Sequence, residues 1–212
     1  MYRYLFFDLD GTVTDPGEGI TNSVMHALAT FGIKVKDRSE LYPFIGPPLI
    51  ESFEKYFGFS KEDAGRAVDI YREYYREKGI FENRLYDGIE ELLKEQKRRG
   101  KIIVLATLKP EAFAIRILEH YNVSQYFTLV SGARMDHSRE TKGEIIGKAK
   151  NSLGIEDKSE ILMIGDREND IVGANENGVD SAGVLYGYGG LDELKNAGAK
   201  YIVEKPSDLL RF

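Results

Sequence analysis

Three short apolar runs in this chain each break off at a polar residue: "YLFFDL" (4–9), "KIIVLAT" (101–107) and "EILMIGD" (160–166). A run this short and this uniformly apolar reads as a strand buried on both faces. "YFTLVSG" (126–132), "SAGVLYG" (181–187) and "AKYIVE" (199–204) are weaker copies of the same form. Helical patterns lie between them. Ile89, Leu92 and Leu93 share a face within 88–99, with Gly100 as the stop. Pro110 sits where the first turn of a helix over 110–119 tolerates it. Ile145, Ile146, Ala149 and Leu153 recur at helical spacing from 142 onward, closed by Gly154. Strands alternating with helices of this length predict an α/β fold, a doubly wound parallel sheet of Rossmann-like form.

One segment breaks the alternation, for no strand pattern occurs between about 17 and 80. Ile20, Val24, Ala27, Leu28 and Phe31 mark a helix ending at Gly32, and a second fits 48–57 before Gly58. Ser60 to Asp63 resembles a capping signal for a third, on which Ala64, Ala67, Ile70, Tyr71, Tyr74 and Tyr75 recur before Gly79. The expected organisation is an α/β core from residues 1–14 and 84–212, with a helical domain at 15–83 inserted after the first strand. "TDPGEG" (14–19) and "ENRLYDG" (82–88) are the expected hinges. The tyrosine stripe at helical spacing is expected to pack against a neighbouring helix.

Composition narrows the function classes. The 212 residues carry a formal charge of −6, which argues against general affinity for nucleic acid. There is no cysteine, so disulfides, thiolate metal sites and a cysteine nucleophile are excluded. His26, His120 and His137 have no ligand spacing and are expected to be structural or solvated. No apolar run approaches the ~20 residues of a membrane span, and "MYRYLFFDLD" has no signal-peptide form. The expectation is a cytoplasmic protein, monomer or dimer, with no membrane or nucleic-acid partner.

The polar strand ends carry the chemistry. In "FFDLDGTVTD" (6–15), Asp8 and Asp10 stand two residues apart, a spacing that points both to one side if the strand direction persists. They would lie at the strand's carboxyl end, where open α/β sheets bind ligands, and Gly11 allows a tight turn there. The second strand ends at Thr107. In "SRETKGEII", Thr141 and Glu144 fit a capping box that puts Lys142 in the first turn of a helix. A cation is unfavourable at that positive helix end, and a bound anion would account for it. "ILMIGDREND" places Asp166 and Asp170 after an apolar strand, hard oxygen donors that suit Mg²⁺.

Taken in this order, the four motifs resemble those of the haloacid dehalogenase superfamily. The helical block after the first strand looks like that superfamily's small helical cap. "FIGPPL" (44–49) and "GYGG" (187–190) are similar to segments of its phosphoglycolate phosphatase and 5′-nucleotidase-like branch. The resemblance implies a phosphatase for a small phosphorylated metabolite, a nucleoside 5′-monophosphate or phosphoglycolate. Asp8 would be the nucleophile that forms an aspartyl-phosphate, and Asp10 the general acid and then the base. Mg²⁺, or Mn²⁺ in its place, would bind Asp8, the Asp10 carbonyl and Asp166, with Asp170 holding metal-bound water or orienting Lys142. Thr107 and Lys142 would hold the phosphate oxygens, assisted by backbone N–H groups around Leu9 and Leu108. "FIGPPL", apolar and rigid, would face the substrate. This chain departs from many relatives in having "KGEII" without prolines after the lysine, and Val13 where leucine is usual. Lys109 therefore stays open as a rival to Lys142. A phosphosugar mutase of the same superfamily is the alternative activity. A phospho-aspartate receiver domain fits poorly, since Asp8 lies too early in the chain and receivers lack the helical insertion.

Overall fold

The computed structural model describes residues 2–136 and 140–212, so His137 lies outside the described residues. The chain forms two compact units, one of Met1–Asp15 with Leu85–Phe212 and one of Pro16–Arg84. In chain order the elements are β1 (Tyr4–Phe7), the short β2 (Thr14–Asp15), α1 (Gly17–Thr30), α2 (Leu49–Phe57), α3 (Lys61–Tyr74) and the short β3 (Arg84–Leu85). They continue with α4 (Ile89–Arg98), β4 (Ile102–Pro110), α5 (Glu111–His120), β5 (Phe127–Ala133), α6 (Lys142–Ser152) and β6 (Ile161–Gly165). The last are α7 (Glu168–Asn177), β7 (Asp180–Val184), α8 (Leu191–Asn196) and β8 (Tyr201–Val203).

The larger unit is built on a six-stranded sheet in the order β5-β4-β1-β6-β7-β8, every neighbouring pair parallel. A parallel sheet needs both faces covered, and the sequence supplies for both. On one face Tyr4, Phe6, Val104, Ala106, Ile161 and Met163 pack with Ile145, Ile146 and Ala149 of α6 and Ala174 of α7. Leu5, Phe7, Ile103, Leu105 and Ile164 alternate to the opposite face and have no exposed surface. Strand order runs outward from β1 in both directions, so β1 is the switch point of the winding. The crevice beyond its carboxyl end is where such sheets place ligands.

Two details differ from the sequence pattern. β4 does not stop at Thr107 but continues to Pro110, which pairs with Ala133 after a shift of register. Pro110 consequently precedes α5 as its cap residue and is not its first helical residue. α7 and α8 carry too little apolar periodicity to be read beforehand. Ile171 and Ala174 are the buried apolar side chains of α7, within an otherwise polar "ENDIVGANEN".

The smaller unit is helical. The Ser60 hydroxyl caps α3 by accepting from the Asp63 N–H at 3.1 Å. Past Tyr74 the helix widens into one π-helical turn, Tyr75–Gly79. Tyr71 and Tyr75 are buried and stacked with ring centroids 5.3 Å apart, whereas the half-buried Tyr74 donates its hydroxyl to Glu82 at 3.0 Å. Phe44 of "FIGPPL" packs on Phe53 at 5.0 Å and Phe57 at 5.8 Å, and Ile45 beside it is buried too. Phe44 and Ile45, the apolar start of this segment, thus belong to the unit's own core, and residues 46–49 are half-buried. Among the described residues no helix is long and apolar enough to cross a membrane.

α1 and the π-helical turn meet through glycines, since a Cβ on Gly19 would lie 1.9 Å from the Gly79 carbonyl oxygen. Gly19→Ala is therefore expected to lower stability by about 1–3 kcal/mol through overpacking. Urea unfolding followed by far-UV circular dichroism measures this, and an unchanged midpoint would contradict the contact.

Candidate active site

Phe7, the last residue of β1, pairs with both Leu105 of β4 and Ile164 of β6. Just beyond this level come Asp8, the Ala106–Thr107 pair and, after Gly165, Asp166. Asp8 keeps its place by donating its N–H to the Ile164 carbonyl at 2.9 Å. The chain then turns sharply, with the Leu9 carbonyl accepting from the N–H groups of Val13 and Thr14 at 2.9 Å each. Gly11 makes the turn possible. Its φ is +83°, and a Cβ there would fall 2.1 Å from the Asp166 carboxylate. Asp8 and Asp10 are both buried, although only Asp8 directly continues the strand.

Lys142 opens α6, and the capping box is present: the Thr141 hydroxyl accepts from the Glu144 N–H at 3.2 Å, and the Glu144 carboxylate accepts from the Thr141 N–H at 2.8 Å. The ammonium is buried among three oxygens, Asp8 Oδ1 at 2.7 Å, Asp170 Oδ1 at 2.7 Å and the Ala106 carbonyl at 2.9 Å. Burial works against its charge, yet Asp170 and Asp8 together hold its pKa above the ordinary lysine value. These partners offset the adverse helix end. Asp170 in turn sits in the first turn of α7, where its Oδ2 accepts from the Arg167 N–H at 3.1 Å.

Asp8, Asp166 and Asp170 each offer a carboxylate oxygen, all within 4.8 Å of one another and all buried. Asp166 Oδ2 accepts from the Tyr188 N–H at 2.7 Å. Burial, then the charges of Asp170 and Asp8, push the Asp166 carboxyl well above its usual range. Burial also raises Asp170, from 3.8 to about 6, with Lys142 opposing and Asp8 adding to the rise. Three hard oxygen donors that repel one another in a buried place fit a divalent cation such as Mg²⁺ or Mn²⁺.

The two lysines have separate partners. Lys109 Nζ is 2.7 Å from Asp10 Oδ2, both side chains being buried. Asp10 Oδ1 is buried with no hydrogen-bond partner among the described residues. Burial raises the Asp10 carboxyl above its ordinary value, Lys109 opposing and Asp8 reinforcing the shift. A raised carboxyl with one free oxygen is the form a proton donor requires. Thr107 is buried, its Oγ1 accepting from the Lys109 N–H at 3.2 Å. Leu9 and Leu108 follow Asp8 and Thr107. Leu9 is fully buried, and Leu108 is half-buried against the sheet cluster. His26 and His120 are exposed, His26 lying against Tyr74 and His120 ending α5.

A family model for haloacid dehalogenase-like hydrolases matches residues 5–184. The chain belongs to that family. It is 45% identical over 194 residues to a 5′-nucleotidase of Pseudomonas aeruginosa, covering 92% of this chain and 87% of that protein. The tyrosine-protein kinase PtkA of Mycobacterium tuberculosis is 37% identical over 90% of this chain, which spans only 64% of PtkA. A crystal structure described as a predicted phosphatase from Clostridium acetobutylicum superposes with a TM-score of 0.97 at 48% identity, covering 100% of this chain and 97% of the other. The chain is thus a phosphatase of the haloacid dehalogenase-like family on a doubly wound α/β core.

Sequence reasoning missed what "GYGG" does in this family member. Tyr186 donates its hydroxyl to the Thr12 carbonyl at 3.1 Å, and Tyr188 donates its own to Asp15. The available signal was an aromatic between glycines just after a strand.

The carboxyl shifts carry a sign. Asp170 binds its proton more tightly folded than unfolded, so its contribution to stability is full below 3.8 and lost as pH rises through about 6. In chelator the melting temperature is expected to fall between about pH 4 and pH 6, and Asp170→Asn should flatten that slope. An equally steep slope in the variant would assign the loss to other groups.

Proposed function

We propose that this phosphatase hydrolyses phosphomonoesters through an aspartyl-phosphate on Asp8. The observation that carries the reading is the buried contact of Lys142 with Asp8 and Asp170, beside an Asp10 with one oxygen uncommitted. With Oδ1 held by Lys142, Asp8 attacks phosphorus through its other oxygen, and the bond to the leaving alkoxide breaks in line. Asp10 Oδ1 gives that alkoxide its proton, then takes one from the water that cleaves the acyl phosphate. Lys142 and the Thr107 hydroxyl hold the non-bridging oxygens of the phosphoryl group, with N–H groups around Leu9 and Leu108. Lys109 keeps Asp10 in place. A divalent cation bound by Asp8, the Asp10 carbonyl and Asp166, with Asp170 behind, would supply positive charge against the repulsion between carboxylate and phosphate.

The substrate we propose is a nucleoside 5′-monophosphate, with phosphoglycolate as the alternative, and residues 15–83 are the proposed cap that selects it. The relative named a 5′-nucleotidase, at 45% identity along nearly the whole chain, favours the first. Phosphate release should be measured from nucleotides, phosphoglycolate, sugar phosphates and phosphotyrosine, with Mg²⁺ and with chelator. Turnover should be fastest on a nucleotide, vanish in chelator and drop to background in Asp8→Asn. Release that survives Asp8→Asn would sink the covalent mechanism.

The two lysines should separate in the same assay. Lys142→Ala is expected to cost about 10²–10³ in kcat, the scale of losing a positioned transition-state donor. Lys109→Met, which removes the cation beside Asp10, is expected to cost about tenfold in kcat. The reverse order would exchange their roles.

A further inference from the structure

The segment after β7 lies against the carboxylate cluster through backbone and side chain at once. Tyr188 N–H donates to Asp166 Oδ2 at 2.7 Å, while the hydroxyl of the same residue donates to Asp15 Oδ1. Tyr186 adds a third tie, from its hydroxyl to the Thr12 carbonyl at 3.1 Å. Gly187 and Gly189 have no room for a side chain. A Cβ on Gly187 would lie 2.3 Å from the Gly11 carbonyl oxygen and 2.4 Å from Asp166 Cβ. One on Gly189 would lie 1.8 Å from the Asp166 carbonyl oxygen. Asp15 is the last residue of the α/β unit before the chain enters the helical one. A single residue therefore holds Asp166 with one group and the exit of the reaction loop with another.

We propose that Tyr188 is a positioning residue: its bond to Asp15 sets the backbone N–H that aims Asp166, so that the Tyr186–Gly189 segment tunes the affinity of the carboxylate cluster for a divalent cation. This rests on the reading of Asp166 as a cation ligand. Groups that orient a ligand from behind commonly govern affinity as much as a ligand's own identity does. A bond through the Tyr188 backbone survives substitution of the ring, so the hydroxyl's part can be separated from the N–H's part.

The test is Mg²⁺ binding to the substrate-free protein by titration calorimetry, repeated with Mn²⁺ by electron paramagnetic resonance. Wild type is compared with Tyr188→Phe, Asp15→Ala, Asp15→Asn and the Tyr188→Phe/Asp15→Ala pair, with Asp166→Asn as the binding-deficient control. Tyr188→Phe and Asp15→Ala are each expected to weaken binding about tenfold, and the double variant no further than either. Asp15→Asn, whose amide oxygen still accepts the hydroxyl, should bind nearly as wild type does. Melting temperature, read alongside in chelator, identifies any variant that fails to fold. Should Tyr188→Phe fail, Asp15→Ala against Asp15→Asn carries the comparison. Wild-type affinity in both folded single variants, or losses that multiply in the double, would overturn the proposal. Absence of binding in wild type would instead overturn the cation reading on which it rests.

Discussion

Everything at the carboxyl end of this sheet depends on the Lys142 ammonium, buried between Asp8 and Asp170 at 2.7 Å from each. Uncompensated carboxylates inside a protein are strongly destabilising, and a shared cation is the cheapest remedy the chain itself can supply. The remedy is incomplete. Asp8, Asp10, Asp166 and Asp170 are all buried there, and the two buried lysines that meet them are Lys142 and Lys109. Burial above all, with repulsion from neighbouring carboxylates after it, raises the pKa values of Asp10, Asp166 and Asp170. A dication offsets such a deficit of positive charge when bound, and a folded chain that keeps this deficit has retained it at a cost in stability.

Crowding matters as much as charge. Gly165 lies so close to Asp170 that a Cβ would sit 2.1 Å from its carboxyl carbon, and a Cβ on Gly173 would meet Lys142 Cγ at 2.9 Å. With Gly11 and Gly187 against Asp166, the charged side chains are fenced by backbone instead of by other side chains. Backbone does not change rotamer, so the carboxylates gain fixed positions without help from long flexible neighbours. Fixed charges and dipoles are what stabilise a transition state without reorganisation during the reaction.

The fold was legible where hydrophobic runs are long and uniform. β1 and β6 follow directly from "YLFF" and "ILMIG". α7 was not legible, because a helix whose buried residues include Asp170 and Gly173 has few apolar positions left to show a period. In the site, Asp8, Lys142, Asp166 and Asp170 were readable from polar residues that interrupt strands or open a helix against the dipole. The pairing of Lys109 with Asp10 was not, since it depends on β4 running past Thr107 so that Lys109 remains in the strand. The burial of Phe44 and Ile45 at the start of "FIGPPL" was not legible either, because apolar and rigid describe a loop and a core segment equally, and the packing of Phe44 on Phe53 and Phe57 is a tertiary contact.

The loop from Asp8 to Asp15 bears three loads at once. It presents Asp10, it lays Gly11 against Asp166, and it delivers the chain at Asp15 to the helical unit. Its point of attachment lies five residues from Asp10, and Tyr186 and Tyr188 reach from the far side of the sequence to hold Thr12 and Asp15. These ties, with Gly11 laid against Asp166, hold the loop within the α/β unit itself.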